Sequence, residues 1–118
     1  MNVQDQLPLA PRDLLILAVL VEGPLHGYGI IKAVEDRSES GVLLDPANLY
    51  RVLRRMKNLG WIQEALGESP GGNDGAANGR RRTYAIAPHG KSLLAAELAR
   101  LDRLFRQVRP ALADGDGI

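Results

Sequence analysis

The chain has 118 residues, 45% hydrophobic and 25% charged, a balance typical of one soluble globular domain. It contains no cysteine, which excludes a disulfide framework, a thiolate zinc site and a cysteine nucleophile. The net charge of +1 indicates no class of partner, and an aromatic content of 4% argues against a stacking platform for single-stranded nucleic acid. The longest apolar run, residues 14–21, falls short of the roughly 20 residues that span a bilayer. Because no basic signal-peptide start is present either, we expect a cytoplasmic protein.

An N-terminal arm and a buried helix are predicted first. Residues 1–11 are mostly polar, carry two prolines and are expected to form the arm. The apolar stretch 12–22 fits either a buried strand or a helix that is hydrophobic all round. Pro11 favours the helix, since the first helical position does not need its missing N–H.

A second helix is expected over residues 26–37, after a turn at residues 23–24. Tyr28, Ile31 and Val34 recur on one face of this helix, which predicts that all three pack in the core. The short apolar piece at residues 42–44 is long enough for one strand.

The third predicted helix, residues 46–59, has the clearest boundaries. Asp45 can cap its free N–H groups, Pro46 suits its first position, and Gly60 can end it in a left-handed conformation. One face of this helix is apolar, comprising Leu49, Val52, Leu53, Met56 and Leu59. The opposite pole comprises Ala47, Arg51, Arg54 and Asn58, flanked by Asn48, Tyr50, Arg55 and Lys57.

Two strands are predicted next, over residues 61–66 and 80–87. The connection, residues 67–79, is rich in glycine and poor in apolar residues, which predicts a long flexible hairpin tip. Trp61 is expected to be a core residue that supports this hairpin.

A last helix is predicted from Pro88 to about residue 109, where Pro110 should stop it, within a segment 88–112. Its apolar residues follow at spacings of four and three, which is typical of a coiled-coil seam. These residues are Leu94, Leu98, Leu101, Phe105 and Val108. They could pack on the chain's own domain, but a helix of about 33 Å exceeds what so small a domain can cover. We therefore expect this helix to mediate a homodimer.

Ion pairs are expected on this last helix outside the seam, at Glu97–Arg100 and Asp102–Arg106. Residues 113–118 should form a flexible tail.

The histidines, His26 and His89, have no partner at metal-ligand or triad spacing, so capping or surface roles are expected. No catalytic group, cofactor or metal site is predicted.

The order of three helices followed by a hairpin predicts a winged helix-turn-helix domain over residues 12–87, mainly α with a small β-hairpin. Between Pro46 and Lys91 eight basic residues face three acidic ones, a net charge of +5, which leaves −4 for the remainder. The basic residues fall on the third helix and the second hairpin strand, the elements that meet DNA in such folds. Arginines there can bind guanine edges or phosphates. The predicted DNA-binding residues are Asn48, Tyr50, Arg51, Arg54, Arg55, Arg80, Arg81 and Arg82.

Five segments resemble the PadR family of bacterial transcriptional regulators, in the family's order. They are Leu-Leu-Ile-Leu-Ala-Val-Leu at 14–20, Gly-Pro-Leu-His-Gly-Tyr-Gly at 23–29, Asn-Leu-Tyr-Arg-Val-Leu-Arg-Arg-Met at 48–56, Leu-Gly-Trp-Ile at 59–62 and Arg-Thr-Tyr-Ala-Ile-Ala-Pro-His-Gly at 82–90. The resemblance implies a winged-helix domain, a homodimer formed through the final helix, and a repressor whose DNA affinity responds to a small molecule. The single C-terminal helix resembles the family's short subgroup.

Two positions depart from the family pattern. Asn48 stands where the family often has threonine, so base preference does not transfer, whereas Tyr50 matches and is expected at a phosphate. Phe105 is the last helix's only aromatic residue, which disfavours the stacking of flat drugs between interface tryptophans.

The sequence therefore predicts a homodimeric transcriptional repressor that binds a pseudo-palindromic operator in double-stranded DNA. The alternative is a winged-helix module that binds an acidic protein through the same basic face.

Overall fold

The computed structural model describes residues 2–67 and 81–114, and for residues 65–67, 81 and 114 the backbone alone. The predicted mainly helical fold with a small β-sheet is confirmed. In chain order the elements are a 3-10 helix Val3–Gln6, α1 Pro11–Leu20, β1 Leu25–His26, α2 Gly27–Arg37, α3 Pro46–Asn58, β2 Ile62–Gly67, β3 Arg81–Ile86 and α4 Pro88–Asp114. The predicted hairpin tip beyond Gly67, with Arg80, and residues 115–118 of the predicted tail lie outside the described residues.

The sheet has three antiparallel strands in the order β1-β3-β2. Strands β2 and β3 form the predicted hairpin, the wing, in which Glu64 lies opposite Tyr84 and Leu66 lies opposite Arg82. Strand β1 is two residues long and pairs Leu25 with Tyr84, which ties the wing to the start of α2. Residues 42–44 form no strand.

The core gathers around α1, which is buried on several sides as its composition predicts. Ile16, Leu17 and Leu20 have almost no exposed surface and share one hydrophobic cluster with residues of every other helix and of the wing. Trp61 lies in this cluster, as predicted. Tyr28 does not, because 64% of its surface is exposed, so its predicted core position is wrong.

Local capping fixes the ends of α3 as the sequence predicts. Asp45 Oδ1 accepts a hydrogen bond from the N–H of Ala47 at 3.4 Å. At the other end Gly60 has a φ of 81°, and the N–H of Trp61 donates to the carbonyl of Met56 at 2.9 Å. This is the pairing of a Schellman motif, which satisfies carbonyls that would otherwise lack a partner.

Helix α4 continues through Pro110 to Asp114, so the prediction that Pro110 stops it is wrong. The proline removes one backbone hydrogen bond, but residues 102–113 are exposed and water can satisfy the freed carbonyl. Only the first half of α4 packs on the domain. Leu93 and Leu94 are buried in the core there, so Leu94 belongs to the chain's own core, contrary to its prediction as an interface residue.

The N-terminal segment, predicted as an arm that leads into α1, is folded against the domain. Its 3-10 helix contacts α4, and Leu9 is buried in the core cluster. The N–H of Leu9 donates to Glu97 Oε2 at 2.9 Å, and Glu97 is only 1% exposed. The predicted Glu97–Arg100 pair forms, and Glu97 is buried where α4 packs on the domain.

Within the described ranges, no helix is both long and apolar enough to cross a membrane. The same ranges contain no cluster of side chains suited to hold a metal ion.

Candidate nucleic-acid interface

The polar face of α3 points away from the core and presents two arginines to solvent. Leu49, Leu53 and Met56 anchor the opposite face in the core, which leaves Arg51 and Arg54 exposed. Neither arginine has an ion pair within the described part of the chain. A guanidinium in this state is free to bind an anion or a base edge.

Tyr50 stands over the beginning of α2, where the two helices approach closely. A Cβ atom added to Gly27 would lie 2.5 Å from the Tyr50 hydroxyl oxygen, so only glycine leaves room for the tyrosine in this position. His26 caps α2 through Nδ1, which accepts from the N–H of Gly29 at 3.1 Å, and its predicted capping role is confirmed. The half-exposed tyrosine therefore lies at the junction of α2 and α3.

Asn48 lies in the first turn of α3, and its amide is directed at the cap. Its Nδ2 donates to Asp45 Oδ2 at 3.3 Å, and both residues are exposed. The capping carboxylate thus orients the asparagine before any partner binds.

Arg55 differs from its two neighbours because a carboxylate of α1 holds it. Its Nη2 donates to Asp13 Oδ2 at 2.7 Å, and its guanidinium carbon lies 5.4 Å from the centre of the Trp61 ring. Asp13 itself is buried. These contacts connect α3 to α1 and to the base of the wing, so Arg55 has a positioning role that the sequence did not predict.

Glu64 joins α3 to the wing. Its Oε1 accepts from Lys57 Nζ at 2.7 Å, and its Oε2 lies 2.9 Å from Arg82 Nη1. The hydrogen bond from Lys57 is the main cause that holds the pKa of Glu64 below its usual value; partial burial opposes it, and the Arg82 charge adds to it.

A shallow groove separates the polar face of α3 from the wing, and several of these side chains line it. They are Tyr50, Arg54, Lys57, Glu64, Arg82 and Tyr84. Tyr84 forms the buried floor, and burial raises its pKa. A groove that contains three cations and one carboxylate offers a site for a polyanion.

The structure thus brings Tyr50, Arg54 and Arg82 to one groove, with Arg51 on the same face of α3. Arg81 is described as backbone alone. The roles of Asp13 and Glu64 as ion-pair partners of basic side chains were not predicted from the sequence. Asp13 is 42 residues from Arg55 in the chain, and no local spacing indicates such a pair. The register of the hairpin strands places Glu64 near Arg82. This register could not be derived from the sequence, because the connection between the two strands is long.

From Leu98 onward, α4 carries an apolar face that no other described residue covers. Leu98, Phe105 and Val108 are each about half exposed, and Leu101 is partly buried. Leu104 and Leu112 extend the same exposed face. Apolar surface of this kind is typical of an interaction site.

A family model matches residues 16–96, and its description is that of the PadR-like family of transcriptional regulators. The chain belongs to this family. The match runs from the second half of α1 to the first half of α4 and so includes the α3 face and the groove. The winged-helix architecture predicted from the sequence is confirmed, and the family is described as one of transcriptional regulators.

One individual relative can be compared with the chain over most of its length. An uncharacterized 37.1 kDa protein in a transposon of Streptomyces fradiae is 33% identical over 96 residues, which make up 81% of this chain. The chain spans only about a quarter of the length of that relative, 24%.

Among solved structures, a PadR family regulator from Clostridium difficile has a TM-score of 0.67 at 24% identity, covering 86% of this chain and 97% of that one. Bacillus subtilis PadR in complex with operator DNA has a TM-score of 0.63 at 20% identity, covering 77% of this chain and 47% of that one. At these identities the likeness shows the shared fold.

Proposed function

We propose that the chain is a homodimeric transcriptional repressor that binds a pseudo-palindromic operator and is released by a small-molecule effector. One observation carries the proposal: Arg51 and Arg54 are exposed on α3 without a carboxylate partner among the described residues, beside a groove that also holds Arg82.

In this proposal α3 enters the major groove. A helix fits that groove, and guanidinium groups on its outer face reach guanine edges or phosphates. Arg51 and Arg54 supply those groups, Asn48 offers an amide that can read adenine, and Tyr50 reaches a phosphate from its place over Gly27.

The wing binds the DNA backbone next to the major-groove site. Arg82 is exposed near the tip end of the described hairpin, opposite Leu66, and Arg80 and Arg81 precede it in the sequence. Three successive cations there suit phosphates, which fix the position of the protein on the duplex without reading sequence.

Dimerisation involves the exposed face of α4. Pairing through Leu98, Leu101, Phe105 and Val108 removes apolar surface from water, and a two-fold dimer presents two copies of α3 to half-sites about one helical turn apart.

Because the chain lacks cysteine, its effector is a ligand and not a thiol oxidant.

The first test is a titration of the wild-type protein with random-sequence duplex DNA at several salt concentrations. Three phosphate contacts per protomer, six per dimer, predict that log K falls against log salt with a slope of about −5. The alternative, a winged-helix module that binds only protein, predicts no such slope. Absence of binding at low salt contradicts the proposal.

A further inference from the structure

We propose that Glu64 limits the affinity for DNA by acting as an intramolecular competitor for phosphates. In the free protein it forms ion pairs with Lys57 and Arg82, two of the cations that line the groove. This inference rests on the proposed function, since it concerns the same DNA-binding face.

The carboxylate of Glu64 is less exposed to solvent than the two cations that pair with it. The side chain of Glu64 is 19% exposed, whereas those of Lys57 and Arg82 are 43% and 67% exposed. Each carboxylate oxygen has its own cation, at 2.7 and 2.9 Å. A phosphate arriving in the groove therefore meets the cations first, but it must compete with a partner that already lies behind them.

The backbone fixes this arrangement. Glu64 lies opposite Tyr84 in the wing, and Arg82 is its diagonal neighbour on the same face of the hairpin, within reach of a long side chain. Lys57 comes from the last turn of α3, so the carboxylate bridges the recognition helix and the wing. The cluster carries a net charge of +1, which becomes +2 when glutamine replaces glutamate.

The competition acts on the part of the affinity that does not depend on sequence, because phosphate contacts carry no base information. Such contacts supply essentially all non-specific binding. A carboxylate in the groove therefore lowers the occupancy of the many competing genomic sites. Glu64 thereby weakens the binding of the regulator to random-sequence DNA.

The test compares Glu64→Gln with wild type on a short random-sequence duplex and on a selected operator. We expect affinity for both duplexes to rise by roughly tenfold per dimer, and the salt slope to steepen by about 0.9 per protomer as one more phosphate is neutralised. The matched control is Glu22→Gln, which removes the same charge from an ion pair with Arg37 whose residues do not line the groove. The control should bind as wild type does.

Several results overturn the inference. If wild type binds with the expected salt slope but folded Glu64→Gln binds no better, the competition is refuted and the proposed function stands. If wild type does not bind duplex DNA at all, the proposed function fails and this inference fails with it. An equal rise in the Glu22→Gln control would show a general effect of net charge and refute a local competitor.

A double-mutant cycle gives a second readout that a merely structural role would not produce. Arg82→Gln should reduce DNA affinity more in the Glu64→Gln background than in wild type, because in wild type the Glu64 carboxylate competes with phosphate for the guanidinium. Equal losses in both backgrounds contradict the inference. Should Glu64→Gln fold poorly, Glu64→Asp retains the charge but is one methylene too short to hold both cations, and a smaller rise of the same sign is expected.

Discussion

At the scale of single residues, Glu97 shows how a charged group becomes part of the core. It is 1% exposed, yet it accepts from the N–H of Leu9 and lies 2.6 Å from Arg100 Nε. The hydrogen bond from Arg100 is the main cause that lowers the pKa of Glu97; burial opposes it and the Leu9 N–H adds to it. A buried carboxylate persists because its oxygens are paired in this way.

The lowered pKa predicts how stability depends on pH. The ionised form of Glu97 stabilises the fold fully above the ordinary pKa of about 4.5, and this contribution is lost as pH falls through the lower pKa of the folded state. Glu97→Gln should cost about 1–2 kcal/mol of unfolding free energy at pH 7, and much less at pH 3. Urea denaturation at both pH values measures the difference, with Glu22→Gln as the surface control. A cost that is the same at both pH values would contradict the role of the charge.

At the scale of elements, α4 has two halves with different environments. The face that packs Leu93, Leu94 and Glu97 into the domain continues, one helical turn after another, through the partly buried Leu101 to the exposed residues Phe105 and Val108. The domain ends before the helix does. The continuation of one apolar face beyond the domain is the physical argument for a second copy on α4.

Replacing Leu98 and Leu101 together by aspartate places two charges on this face and should weaken dimerisation roughly 100-fold or more, because central apolar anchors dominate interfaces. Sedimentation should then find monomers at concentrations where the wild type is a dimer. The matched control is Ala99→Asp plus Gln107→Asp, which adds the same charges to the opposite side of the helix. Persistent dimers in the Leu98→Asp, Leu101→Asp variant would place the interface elsewhere.

Elements with local signals could be predicted, and those that depend on distant partners could not. Asp45 and Gly60 mark the ends of α3 through interactions within a few residues, so the sequence was sufficient there. Strand β1 has two residues and exists because β3 pairs with it, and the N-terminal segment is ordered by α4. No pattern inside these segments indicates such partners.

At the scale of the whole molecule, a near-neutral chain has a polarised charge distribution. The segment from Pro46 to Lys91 carries a net charge of +5 and the remainder −4. The sequence was enough to locate the cations, because exposed positions on α3 follow from helical periodicity. It could not show which cations are held, since Asp13 and Glu64 reach theirs only through tertiary contacts and strand register. Among the residues that the structure describes, Arg55 and Lys57 of α3 have ion-pair partners, and Arg51 and Arg54 have none.

The central claim is that Arg51 and Arg54, which have no ion-pair partner within the described ranges, bind DNA. The most direct test measures the affinity of the Arg51→Ala, Arg54→Ala double variant for an operator selected from a random duplex library. Each arginine in contact with a base or phosphate is worth about 1–3 kcal/mol, so we predict a loss of at least roughly 100-fold, with a shallower salt slope. Arg103→Ala plus Arg106→Ala on α4 removes the same charge and should bind nearly as wild type does. Operator affinity within twofold of wild type in the α3 variant would contradict the account.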